Sequence, residues 1–441
     1  MNQLLTPVAK PTFAEALRFW LKLGFISFGG PAGQIAIMHT VLVEQKRWIS
    51  DAKFLHALNY CMLLPGPEAQ QLATYIGWLL HGTRGGLAAG ILFVLPSVFI
   101  LLALSLLYVT VGTLPALQGV FDGLKPAVVA IILLAMVKIA RKSLLSPLHY
   151  AIAAASFSGI FWFDVPFPVL IVAAAVAALL AQRWFPATAN TAAQACNAQA
   201  EEGYFLTTQT MVSDTGFSLS RLLRQVGSAL ILWGLPLGLL YLTTRDFPFW
   251  RTLSVFFTQA ALVTFGGAYA VLPYVAQVSV AKLHWLTQGQ MLDGLALGET
   301  TPGPLIMVLA FVGFMGGYTH FGGSLALGAL GLLTTTYYTF LPCFVFILVG
   351  APLIERTQHN AHLKAVLSII TAAVVGVVLN LAVYLGRGVL FPTGQLALAG
   401  LHWPSLVWLL VSLLALHRFK LNMILWIGIS AAIGFVYYFL T

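Results

Sequence analysis

The sequence predicts an all-α polytopic membrane protein of about thirteen transmembrane segments, built as two homologous halves of inverted topology with broken helices. Three observations predict it. Of the 441 residues, 59% are hydrophobic and 8% charged, where a soluble domain carries roughly a quarter charged residues. Long charge-free apolar runs recur along the chain, which excludes a transmembrane β-barrel with its alternating polar positions. The chain also matches itself at a shift of 237 residues, with 15 identities in 59 positions from Phe28 to Gly86 and no gap.

Taken in order, Thr12 and Glu15 form a capping-box pattern that opens an amphipathic helix, Phe13 to Phe25, lying along the interface. Glu15, Arg18 and Lys22 interrupt its apolar stretch, so it lacks the uncharged core of a cleavable signal peptide. Membrane segments follow near 14–38, 54–80, 86–121, 122–140, 143–163 and 165–182. Those of the second half are read at 225–244, 252–281, 300–354 (at least two), 365–386, 388–417 and 421–441. The domains are therefore a membrane repeat at 1–183, a polar cytoplasmic linker at 184–220, and a membrane repeat at 221–441 that begins with the extra span 225–244.

The basic connections at Lys138/Arg141/Lys142, Arg183 to Arg224, Arg356/Lys364 and Arg418/Lys420 fall on one side. With a cytoplasmic N-terminus that side is the cytoplasm and the C-terminus is periplasmic. This positive-inside pattern accounts for the net charge of +9, and no nucleic-acid motif accompanies it. Cys61, Cys196 and Cys343 are far apart, which suggests neither a disulfide framework nor a thiolate metal site. His359 and His362 belong to a solvated basic loop, so no metal and no cofactor are expected.

Within the repeat, Phe28-Gly29-Gly30 matches Phe265-Gly266-Gly267, Trp48 matches Trp285, Pro65-Gly66-Pro67 matches Pro302-Gly303-Pro304, and Gly85-Gly86 matches Gly322-Gly323. Seven crossings separate the copies in the predicted topology, and an odd number inverts the second. Proline removes a backbone donor and glycine relaxes the chain, so helices should break at both motifs. Pro67 and Pro304 suit the first turn of the helices that follow, whose N-termini bind anions. The first copy carries Gln34, His39, Glu68, Gln70, Gln71 and Arg84 where the second has Val271, Ala276, Leu305, Met307, Val308 and Phe321. The second offers chiefly Tyr269, Tyr274, Glu299, Thr300 and Thr301. Glu68 and Glu299 are intramembrane acids and so candidates for proton coupling. Lys22, Arg84 and Lys125 are the bases placed to attract an anion, with interfacial snorkelling as the alternative reading.

These residues resemble the chromate ion transporter family in its long, two-domain form. The resemblance rests on Phe28-Gly-Gly-Pro31-Ala-Gly33, on Leu64-Pro-Gly-Pro-Glu-Ala-Gln70-Gln71, and on the degenerate copy Phe265-Gly-Gly-Ala-Tyr269 with Thr301-Pro-Gly-Pro304. It implies an inner-membrane carrier, not an enzyme, that exports chromate and confers chromate resistance, in connection with sulfate exchange or protons. The expected partners are chromate, sulfate or protons, the lipid bilayer, and a second copy in a homodimer. A tetrahedral dianion would then lie between the halves, held by backbone N–H groups near Gly29, Gly30, Gly66, Gly266, Gly267 and Gly303. Gln34, Gln70, Gln71 and Tyr269 would add side-chain contacts, and Pro31, Pro65, Pro67, Pro302 and Pro304 would break the helices. The alternatives are a carrier of sulfate or molybdate and an anion channel.

Overall fold

The computed structural model describes residues 9–28, 30–112, 114–184, 203–208, 210, 219–244, 246–357, 361–392, 395 and 397–440. Gly29 and most of the 184–220 linker, with Glu201, Glu202 and Asp214, lie outside them, as does His359. Regular structure among the described residues is helical, with one isolated β-bridge, Ile49 to Leu206. Large apolar side chains point outward along the bundle, among them Phe99 at 63% and Ile231 at 67% exposed. An outer surface of that kind belongs in lipid, and the protein is a multi-pass membrane protein.

The first half opens with α1 (Phe13–Ile26), whose N-cap Thr12 accepts from the Glu15 N–H. Only half of the expected capping box forms, because the Glu15 carboxylate instead takes Lys46 at 2.8 Å. Helix α2 (Gly30–His39) runs into a π-helical turn, Thr40–Gln45, and α3 (Asp51–Cys61) starts on an N-cap Ser50. Then come α4 (Glu68–Val111), α5 (Pro115–Ser143), α6 (Pro147–Phe163) and α7 (Phe167–Trp184).

The second half opens with α8 (Leu219–Thr243), the extra span, followed by α9 (Phe247–Leu262) and α10 (Ala268–Ala276). A π-helical turn, Gln277–Lys282, leads to α11 (Gln288–Thr300). The short 3-10 turn Leu305–Met307 precedes α12 (Val308–His320), α13 (Leu325–Thr357), α14 (Ala361–Leu390), α15 (Trp403–His417) and α16 (Met423–Leu440).

The duplication read from 15 identities is written far more densely in the backbone. The two π-helical turns lie 237 residues apart, as do Arg47 (φ 51°) and His284 (φ 50°). The Trp48 N–H donates to Leu42 at 2.8 Å, and the matching Trp285 N–H donates to Ser279 at 2.9 Å. Helix caps correspond too, with Ser50 and Thr287 each accepting from the backbone N–H three residues on.

Helix α4 is a hairpin. It turns at His81 (φ −138°, ψ 24°) and Gly82 (φ 64°, ψ −156°), and the legs 68–80 and 83–111 lie against each other. A Cβ at Gly86 would sit 3.1 Å from the Thr74 carbonyl oxygen, whereas residues twelve apart in a straight helix are about 18 Å apart along its axis. In the second copy α12 packs along α13 in the same way, but the turn falls at Gly322 (φ 62°) and Gly323 (φ 90°). The matched Gly85 and Gly86 are helical, so the glycine pair is the turn in the second copy and a packing surface in the first.

Among the described residues, six helices are long and apolar enough to cross a membrane by length and composition, with three shorter apolar helices. By that measure the expected thirteen are not reached. A thirteen-residue leg such as α12 spans about 20 Å, short of a hydrocarbon core of about 30 Å. Charge-free windows also ran across helix ends: the window 86–121 joins α4 to α5. The described part of the linker is not simply polar, since Leu206 is buried and pairs with the strand-like segment beside Trp48.

Candidate functional site

In each Pro-Gly-Pro the glycine holds the tripeptide's sole backbone N–H, because proline has none. Both of these N–H groups cross to the other copy. The Gly66 N–H donates to the Thr264 carbonyl at 2.7 Å and the Gly303 N–H to the Ser27 carbonyl at 2.7 Å. Ser27 and Thr264 are themselves matched positions, immediately before the two Phe-Gly-Gly motifs, so the two hydrogen bonds are reciprocal. Each break in one copy is closed by the lead-in to the break of the other.

The breaks expected at both motifs are present. Chain leaves α1 at Ile26 and α9 at Leu262, then restarts as α2 at Gly30 and α10 at Ala268. Pro67 and Pro304 sit one position earlier than expected, as the N-cap residues of α4 and of the 3-10 turn, with extended ψ of 105° and 131°. Pro31 lies in the first turn of α2, and the carbonyls of Pro65 and Pro302 accept from the Gln71 amide and the Ser97 hydroxyl. Gly66 (φ 124°) and Gly303 (φ 98°) hold backbone that other residues avoid. A Cβ at Gly66 would lie 2.7 Å from both Cys343 Sγ and Gln71 Nε2, and one at Gly303 would collide with Ser97 Oγ.

First-copy polar groups fill the space around these breaks. Gln34, Gln70 and Gln71 are at most 1% exposed. Gln34 Nε2 donates to the Gly303 carbonyl at 2.6 Å and to that of Ser27 at 3.5 Å, so it clasps the second-copy break. Gln71 Nε2 donates to the Pro65 carbonyl at 2.7 Å, and Gln70 Nε2 donates to the Thr74 hydroxyl at 3.1 Å. An amide nitrogen carries two N–H groups; Gln71 uses its pair on the Pro65 carbonyl and the Cys343 sulfur, whereas Gln70 is braced through one and keeps another. The Oε1 atoms of all three accept no hydrogen bond.

Two acids flank the first turn of α10. Glu68 opens α4, and its Oε1 is 3.9 Å from where a Cβ of Gly267, the N-cap of α10, would stand. Glu299, 5% exposed near the end of α11, accepts from Tyr269 Oη at 2.8 Å. The positive end of the α10 dipole thus faces a carboxylate already. Gly266 precedes it with φ 82°, against Thr371 of α14.

The three candidate bases part company. Lys22 and Arg84 are exposed on α1 and beside the α4 hairpin turn. Lys125 is held between two carboxylates, 2.8 Å from Asp122 and 3.7 Å from Asp293. Asp293 lies on the 288–300 segment, which falls between the apolar windows. At a shift of 237 that segment lies on the read 54–80 span, and this match is the signal that finds it. A groove with basic Lys138, Arg141, Lys142 and His417 opens between α5 and α15.

Comparison with known proteins agrees with this architecture. The chain matches the family model described as chromate transporter over residues 14–179 and 251–435, one match on each side of the linker. It is 32% identical over 377 residues to a chromate transport protein of Pseudomonas aeruginosa, covering 83% of this chain and 79% of that one. It is 29% identical over 389 residues to a chromate transport protein of Cupriavidus metallidurans, covering 88% and 86%. An uncharacterized transporter of Methanocaldococcus jannaschii is 26% identical over 97% of this chain and 94% of its own. No solved structure matches. With two matched halves meeting at reciprocal helix breaks, the chain belongs to the chromate transporter family.

Proposed function

We propose that this protein is a secondary transporter that exports chromate across the inner membrane by alternating access between two inverted halves. The observation that carries this reading is the reciprocal pair of hydrogen bonds at Gly66 and Gly303. Parts that grip each other symmetrically at a broken-helix centre are suited to rock about that centre, opening it to one face and then the other. The N-terminus is on the cytoplasmic side and the C-terminus on the periplasmic side in this scheme.

The substrate is a tetrahedral dianion, and donors rather than full positive charges suit a site that must also release it. The remaining N–H of Gln70, the Gln71 amide on exchanging its Cys343 contact for the anion, and the first turn of α10 supply such donors. Gln34 acts as a brace, its nitrogen already engaged on the Gly303 carbonyl. Glu68 faces the same helix end that an anion would use, so its carboxylate and the dianion compete for one dipole. The basic groove at Lys138, Arg141 and Lys142 concentrates anions on the cytoplasmic approach.

The test is flux of radiolabelled chromate into proteoliposomes, with sulfate or buffer opposite and the pH gradient set to zero or imposed. Saturable flux accelerated by opposing sulfate identifies an exchanger, and acceleration by the pH gradient identifies proton coupling. Non-saturable flux without counterflow makes the protein a channel. Absence of chromate flux, with sulfate or molybdate moving instead, reassigns the substrate.

A further inference from the structure

An ion cluster inside the helix bundle is left unused by the central breaks. Asp293 of α11 is 7% exposed. Tyr108 of α4 donates to its Oδ2 at 2.8 Å. Its Oδ1 accepts no hydrogen bond, and Lys125 Nζ of α5 stands 3.7 Å away. The ammonium makes its hydrogen bond elsewhere, to Asp122 at 2.8 Å, whose side chain is 70% exposed. Lys125 therefore stands between a wet carboxylate that it holds and a buried one that it nearly reaches.

Charge balance decides what this cluster does. Asp122 is wet and its charge is met by water, so the buried charge is that of Asp293, whose counter-ion Lys125 makes its hydrogen bond elsewhere, and such a carboxylate is costly in a membrane interior. One proton on Asp293 removes that buried charge. No other charge facing Asp293 alters this balance among the described residues. From α4 comes Tyr108 and from α5 come Lys125 and Asp122, while α12 presents Phe311 beside Gly294. Neither α14, α16 nor the turn Leu305–Met307 contributes a charged partner.

We propose that Asp293 is a proton-binding site of the transport cycle, with Lys125 as its switch; this deepens the transporter reading and rests on it. In one state a proton taken from water forms an O–H bond at Oδ1, and Lys125 stays on Asp122. In the other that proton returns to water, and the Lys125 ammonium swings the short distance to Asp293 as counter-ion. Because α5 belongs to the first half and α11 to the second, the swing changes the grip between the halves. Proton binding and rocking are thereby linked.

Two readouts on the full chain in lipid test this. Infrared difference spectra across a pH titration report protonated carboxyl groups without any substrate, and chromate flux with and without a pH gradient reports coupling. In the wild type a carboxyl carbonyl band appears as pH falls. In Asp293→Asn that band is lost and flux no longer responds to the gradient. In Lys125→Met the band survives to higher pH, because the counter-ion is gone. Asp293→Glu, which keeps the carboxyl, retains a titrating band and serves if the asparagine variant fails to fold. A band unchanged in Asp293→Asn, or one abolished by Glu299→Gln instead, overturns the proposal. If the wild type moves no chromate, the transporter reading falls, while the infrared titration still decides whether Asp293 binds the proton.

Discussion

The two Pro-Gly-Pro breaks share a backbone and differ in nearly everything attached to it. Around Gly66 the first copy places Glu68, Gln70, Gln71 and Thr74, where the second places Leu305, Met307, Val308 and Phe311 around Gly303. Both glycines have positive φ and both donate across the copies. The residues that follow each break have diverged so far that the first set includes buried amides and the second is apolar. Backbone geometry at these points is thus a requirement of the fold, met by sequence in both copies, whereas chemistry is needed once. A single polar lining suffices because the two breaks meet, and Gln34 of the first copy serves the break of the second.

The strongest way to break that comparison is at the shared glycines. Gly66→Ala and Gly303→Ala each impose a disfavoured φ and a clash, and should each cost about 3 kcal/mol or more. Both should appear as lost monodisperse protein or a markedly lower unfolding temperature in detergent. A wild-type unfolding temperature for either would show that its break is not held as described. Adding Ser97→Ala to Gly303→Ala removes the worst contact, that with Oγ, but leaves Cβ at 3.1 Å and the φ strain, so it should recover part of the loss.

Chemistry is expected to be one-sided. Gln71→Leu deletes a buried amide worth about 1.5–3 kcal/mol, and should lower chromate flux by roughly 10- to 100-fold with the protein still in the membrane. The matched Val308→Leu adds a methylene to a fully buried position and should cost about 1–3 kcal/mol of stability, but should leave flux per folded protein within about twofold. Equal losses at the two positions would mean that the second break also contacts substrate.

Gln34→Leu sharpens the same point. Loss of its bond leaves the buried Gly303 carbonyl unpaired, at a cost of about 1–3 kcal/mol. Stability and flux should therefore fall together, unlike Gln71→Leu, where flux falls further than stability.

The smallest effect lies at the rim of the second copy, where Asp246 caps α9 and takes His320 at 2.7 Å. The hydrogen bond from His320, with that of the Phe249 N–H, holds the Asp246 carboxyl below the usual range. Its stabilising contribution is therefore full above the ordinary carboxylate range and is lost as pH falls through the depressed native value. Asp246→Ala should cost about 1 kcal/mol near neutral pH, and Asp246→Asn should flatten the acid side of an unfolding-temperature profile. An unchanged acid limb would show that the pair does not form in the membrane-embedded protein.

Legibility in the sequence followed the range of the physics. Pro65-Gly66-Pro67 and Phe28-Gly29-Gly30 announced helix ends because proline and glycine act on their own peptide units. The turn inside α4 is bracketed by the sequence, since the read segments 54–80 and 86–121 part at residues 81–85 and the chain turns at His81-Gly82. Gln34 was named as polar and therefore functional, but its partner is 269 residues away, beyond any local pattern. Lys125 was read as an anion attractor because its two carboxylates come from its own helix and from a segment never marked as membrane.

What the sequence determined alone is the class of solvent, the duplication and the sites of breakage. Apolar composition, self-similarity and peptide-bond chemistry are properties of the chain before it folds. Tertiary structure decided which break faces which, what the glutamines hold, and that Asp293 sits beside Lys125. In a bilayer every apolar face is equally at home in lipid, so periodicity cannot choose partners. Close packing and the need to satisfy each buried N–H choose them instead.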